Sequence, residues 1–234
     1  MLYSANDIMG YYLKGNDGEI GRSKDLLFDD KSWIIRYLVA DTGGWLVGRR
    51  ILISPFAVQS LDSDTKILPV NLTKSQIEDA PSLDEDKPVS RQYEVEIFGY
   101  YNWPIYASEN PWGLMGAPGD LPAPQSEEDG DKHLRSMKEV ESYAVQAEDG
   151  SIGRIHDLII DDESWNIVYM IVDTRKWLPG KKVIIESSKV ESINWFNRKV
   201  KIALSRRQIK KSPEYDPTTP LDGLSNSKLK NVSG

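Results

Sequence analysis

The sequence predicts a mainly β protein, two small antiparallel barrels related by internal duplication and bracketed by short capping helices. Three observations lead there. A constant offset of 132 residues lays GEIGRSKDLLFDDKSWIIRYLVADTGGWLVGRRILI, which begins at Gly18, over GSIGRIHDLIIDDESWNIVYMIVDTRKWLPGKKVII, which begins at Gly150, without a gap. Each copy breaks into short runs rich in β-branched and aromatic residues. Turn chemistry separates the runs. The period is too long and too seldom repeated for a solenoid, so it marks a duplicated domain.

The elements follow in order. Ser4-x-x-Asp7 and Ser136-x-x-Glu139 resemble capping boxes ahead of single helical turns, and Thr73-x-x-Gln76 and Ser205-x-x-Gln208 do the same at the far end of each copy. Those far helices stop before Pro81 and Pro213, because the residue ahead of a proline is driven out of the helical region. Gly18 and Gly150 close Asn-Asp-Gly and Glu-Asp-Gly hairpin signals, and Gly21 and Gly153 recur three residues on. Asp29 with Trp33, and Asp161 with Trp165, mark a second recurrent turn (D-D-x-S-W), in which the aspartate bonds its own backbone. Between the turns lie LLF, IIRYLV and RRILI in one copy and LII, IVYMIV and KVIIE in the other. A barrel suits such short strands because closure removes exposed sheet edges.

Strict alternation along the central strand puts Ile35, Tyr37 and Val39, and their counterparts Ile167, Tyr169 and Ile171, inside the barrel. The opposite face changes from Arg36, Leu38 and Ala40 to Val168, Met170 and Val172. That apolar outer face predicts an interaction surface on the second copy.

The domains read as residues 1–80 for the first copy, 81–132 for an aromatic helix and a Pro/Gly-rich linker, 133–211 for the second copy and 212–234 for a largely disordered tail. The repeated G-x-I-G-R-x-x-D-L, D-D-x-S-W and D-T-x-x-W-L-x-G segments resemble the PRC-barrel domain, known from the photosynthetic reaction centre H subunit and a ribosome maturation factor. The likeness runs over residues 2–106 and 134–222, nearest to bacterial tandem PRC-barrel proteins. It implies six-stranded barrels that mediate assembly, with no catalytic residues to carry over. An aromatic helix after the second copy, expected by analogy with SRQYEVEIFGYYNW, is missing from the sequence.

Composition narrows the function. No apolar run reaches the roughly 20 residues of a membrane-spanning helix, and the amino terminus lacks a signal-peptide pattern, so a cytoplasmic protein is expected. Without cysteine there is neither a disulfide nor a thiolate ligand. No nucleotide-binding or hydrolase motif occurs, so the reading is a non-catalytic assembly protein with no cofactor or metal. Recurrent Asp25, Asp29 and Asp41, with Asp157, Asp161 and Asp173, carry the alternative of a metal- or small-molecule-dependent enzyme.

Charge is uneven. Residues 175–211 hold twelve basic and two acidic residues, a balance of +10; the net charge of −7 then leaves −17 for the remainder. Arg175, Lys176, Lys181, Lys182, Arg198, Lys199, Lys201, Arg206 and Arg207 form the expected basic patch. Its expected partner is another protein or a second copy of the chain, ahead of nucleic acid, because the chain as a whole is acidic.

Overall fold

A computed structural model of the chain describes residues 1–46, 50–81, 89, 91–103, 133–174, 181–219 and 221. In chain order these form β1 (Leu2–Ser4), α1 (Ala5–Ile8), β2 (Tyr12–Gly15), β3 (Gly18–Asp29), β4 (Ile34–Asp41), β5 (Ile51–Ile53), β6 (Ile67–Pro69), α2 (Lys74–Glu78), α3 (Arg91–Tyr101), β7 (Leu134–Ser136), α4 (Met137–Val140), β8 (Ala144–Ala147), β9 (Gly150–Asp161), β10 (Ile167–Asp173), β11 (Lys182–Glu186), β12 (Val190–Asn194), β13 (Lys199–Ile202) and α5 (Arg206–Ile209). The chain is mainly β, and the short helices stand where the capping signals put them. Thr73 and Ser205 each complete a reciprocal box with Gln76 and Gln208.

Two compact units result: Met9–Leu134, here the first, and Met1–Ile8 with Arg135–Gly234, the second. The first unit's sheet is ordered β5-β4-β3-β2-β6, with β7 on β3; the second's is ordered β11-β10-β9-β8-β13-β12, with β1 on β9. Placing β1 and α1 in the second unit is something the sequence reading did not foresee. Leu2, Tyr3 and Ser4 pair with Asp161, Ile160 and Ile159, and Ala5 and Ile8 are buried.

The sheets are not wholly antiparallel. β2 pairs β6, and β8 pairs β13, in parallel. Parallel neighbours need a long crossover, and the intervening strands provide it, β3 to β5 in the first unit and β9 to β12 in the second. Among the described residues no ladder joins the end strands β5 and β6, or β11 and β12.

Three bulges recur in both sheets at the same offsets, and the second sheet has a further one at Glu191 between β12 and β13. Ile20 and Ile152 are the extra residues opposite β2 and β8; Lys24 and His156 are extra opposite β4 and β10; Arg36 and Val168 are extra opposite β3 and β9. The first bulge explains Gly21 and Gly153. A Cβ there would come within 2.0 Å of the Asp41 carbonyl oxygen or 1.9 Å of that of Asp173, well inside contact distance.

The third bulge overturns the alternation read from sequence. A bulged residue and its successor point to the same side, so the faces exchange beyond Arg36 and Val168. In the first unit Tyr37 and Val39 leave the expected interior and join Leu27 and Leu52 beneath α3, against Tyr93, Ile97 and Phe98. Leu38 and Ala40 turn inward and are buried. In the second unit the same slip buries Met170 and Val172, each 0% exposed, and leaves Val168 half-buried. The apolar outer face expected of Val168, Met170 and Val172 is therefore not an outer face.

The aromatic helix is present as α3, and Tyr101 and Trp103 pack against its cluster. The Pro/Gly-rich residues 104–132 and the last dozen residues lie outside the described residues. The near part of the expected tail is ordered. Glu214 bridges Val183, the Pro213 carbonyl accepts from the Ile184 N–H, and the Tyr215 N–H donates to the Lys182 carbonyl.

Candidate functional site

Of the six recurrent aspartates that were candidates for chemistry, Asp25, Asp29, Asp41, Asp157 and Asp161 bond the turn or strand in which they stand, and Asp173 is half-buried at the end of β10. Asp17 accepts from the first N–H of α2 at Lys74 (2.9 Å), and Asp149 from that of α5 at Arg206 (2.8 Å). Asp29 Oδ1 accepts from the N–H of Lys31 (3.0 Å) and Ser32 (2.9 Å). Asp161 Oδ2 accepts from Ser164 Oγ (2.5 Å). Asp25 bonds the Leu26 N–H and Asp41 the Gly43 N–H. The tryptophan that ends each D-D-x-S-W turn is left-handed, with φ of 59° at Trp33 and 54° at Trp165. Trp33 stacks on Phe28, ring centroids 5.6 Å apart, so packing holds it there despite the unfavourable backbone.

In the first unit the bulge carries a buried charge pair. Glu94 lies on the face of α3 that also presents Ile97 and Phe98 and is 0% exposed. Its carboxylate accepts from the Arg36 guanidinium and from Tyr37 Oη (2.6 Å). Arg36 Nη1 stands 3.6 Å from Asp29 Oδ2, linking the turn to the helix. Sequence reading missed Glu94. Part of the signal was there: of the two carboxylates on α3, Glu94 stands three and four residues before the apolar Ile97 and Phe98.

In the second unit Val168 replaces that arginine, and the buried charge moves. Asp157, 3% exposed, sits beside the His156 bulge. It accepts from Ser4 Oγ (2.5 Å) and from the N–H groups of Asn6 (3.2 Å) and Leu158 (2.8 Å), so it ties α1 to β9. His156 Nε2 meets Lys182 Nζ at 2.7 Å. Burial raises the Asp157 pKa above its ordinary 3.8, against those three hydrogen bonds. Tyr215 is raised as well, chiefly by burial, with Asp157 and Asp7 adding to it.

A raised carboxylate pKa means that the folded chain holds a proton which the unfolded chain has already lost. Asp157's contribution to stability then falls as pH rises from 3.8 through the folded value and is level above it. Asp157→Asn keeps the acceptor for Asn6 and Leu158 and turns a donor toward Ser4. Thermal unfolding across this window should show the second unit at least as stable as wild type at neutral pH, with the difference shrinking toward pH 3.8. An Asn variant less stable at neutral pH would show that the three bonds outweigh burial.

The basic patch is partly neutralised where it is described. Lys181 pairs Glu214 (3.3 Å) and Lys201 pairs Glu191 (2.7 Å). Arg206 donates to the Ser151 carbonyl (2.7 Å) as part of the α5 cap. Arg198 and Lys199 are exposed beside the β12–β13 turn, Arg207 is exposed on α5, and Arg175 and Lys176 lie outside the described residues. Among the described residues no group of three or more His, Asp or Glu side chains is placed to hold a metal ion, and no helix is long and apolar enough to cross a membrane.

No curated protein matches the chain. Residues 2–77 match the PRC-barrel domain family, so a PRC-barrel domain is present there.

Proposed function

We propose that the chain is a tandem pair of PRC-type domains, the second over residues 133–211, which arose by duplication as in bacterial two-repeat proteins and acts as a non-catalytic assembly protein. The same three bulges, the same capping boxes and the same left-handed tryptophan at one offset support the duplication. The observation that carries the function is where the recurrent carboxylates go. Asp17, Asp25, Asp29 and Asp41, with Asp149, Asp157 and Asp161, all accept hydrogen bonds from their own turns, caps or strands. A general base or metal ligand needs its lone pairs directed at a substrate or ion. These are spent on the scaffold, which leaves surface recognition of another protein as the function. The purified protein is expected to turn over none of a panel of phosphoesters, carboxylic esters and nucleotides. Activity that is lost in Asp157→Asn or His156→Ala while the fold is kept would overturn this reading.

A further inference from the structure

Phe196 stands at the end of the β12–β13 hairpin and is 97% exposed. The turn beneath it is fixed by its own bonds. Asn194 Oδ1 accepts from the Asn197 N–H (2.9 Å), the Arg198 N–H donates to the Trp195 carbonyl (3.3 Å), and Arg198 is left-handed at φ 50°. Trp195 forms the seat of the tip, 4.3 Å below the Arg135 guanidinium and 5.7 Å from the Tyr143 ring. Arg198 and Lys199 flank it, both exposed.

The first unit builds the same turn from other residues. Asp62 Oδ1 accepts from the N–H groups of Asp64 (2.9 Å) and Thr65 (3.3 Å), and Lys66 is left-handed at φ 55°. Asp64 stands at the offset of Phe196, and Ser63 at that of Trp195. The turn therefore needs no aromatic residue. A lone exposed apolar side chain is ordinary. A rigid aromatic tip with a cationic rim, at a place the fold fills equally well with Asp and Ser, is not.

We propose that the Trp195–Phe196 tip docks one copy of this chain onto the acid-rich remainder of a second copy, which rests on the assembly reading above. Charge complementarity selects the occupant. The tip belongs to the run with a balance of +10, and the rest of the chain carries −17. The chain's net charge of −7 disfavours an anionic membrane as the occupant. Phe196 supplies contact area without ordering a flexible segment, and Arg198 and Lys199 supply attraction and partner choice. Tip and receptor are different surfaces, so two copies either exchange tips in a closed dimer or add head-to-tail beyond it.

Sedimentation of the full chain over a range of concentration and salt tests this. Wild type should associate reversibly, to a dimer or beyond, and less so at high salt. Phe196→Asp, which installs the first unit's residue, should weaken association at least tenfold with an unchanged circular dichroism spectrum and melting temperature, and Arg198→Glu with Lys199→Glu should do the same. A wild type that stays monomeric into the millimolar range overturns the docking, as does association that Phe196→Asp leaves intact. Flotation with phosphatidylserine–phosphatidylcholine vesicles that is lost in Phe196→Asp would assign the tip to a lipid surface instead. Substrate turnover would sink the assembly reading, whereas a monomeric wild type sinks only the docking.

Discussion

Glu94→Ala is expected to destabilise the first unit by about 3–5 kcal/mol, the effect of removing one member of a buried ion pair. Arg36 keeps Asp29, 3.6 Å from its Nη1, but loses the buried carboxylate between β4 and α3, and Tyr37 Oη loses its acceptor. Denaturant unfolding should show an earlier transition that carries the near-ultraviolet signal of Tyr93, Phe98 and Trp103, which surround the pair. Replacing both partners separates burial from pairing. Arg36→Leu with Glu94→Leu removes the desolvated charges together and should restore most of the loss, since hydrophobic replacement of a buried pair is often neutral or better. A Glu94→Ala protein within about 1 kcal/mol of wild type would mean that α3 yields and lets water reach Arg36.

Met170→Lys is expected to prevent the second unit from folding. Met170 is 0% exposed and stands between Leu158 and Ile185 in the ladder, so the ammonium would have neither water nor a carboxylate. Such a substitution belongs with the changes above about 4 kcal/mol. Val168→Arg, two residues away, is the control. Position 168 is the half-buried bulge, from which a long side chain can carry its guanidinium to water, so the variant should stay within about 1 kcal/mol of wild type. If Lys is tolerated at 170 and Arg is not at 168, the faces of β10 are assigned the wrong way round. Circular dichroism of the two variants side by side decides it.

These two predictions turn on the same residue count. Hydrophobic runs, glycines and caps were legible because each is a local signal: Gly21 answers to one carbonyl of Asp41, and Thr73 to one glutamine three residues on. The bulges at Arg36 and Val168 were not. Nothing in IIRYLV or IVYMIV marks which residue is left unpaired, and a slip of one exchanges every side chain beyond it. Glu94 was hidden for the opposite reason. Its helix was read correctly, but its partner lies 58 residues away on a strand whose faces were reversed. Membership of β1 in the second unit was equally out of reach, because Ser4-x-x-Asp7 reads the same whichever β-sheet it caps. Phe196 was readable in principle, by asking which offset pairs exchange an acid for an aromatic residue.

The position of β1 and α1 also sets an order of events during synthesis. Ser4 leaves the ribosome before its partner Asp157, which is made 153 residues later. At the usual 5–20 residues per second the wait is roughly 8–30 s, during which β1 is a strand without a sheet. The second unit is thus assembled from segments on either side of the first unit in sequence, and its completion depends on a strand that must wait until the first unit has been made.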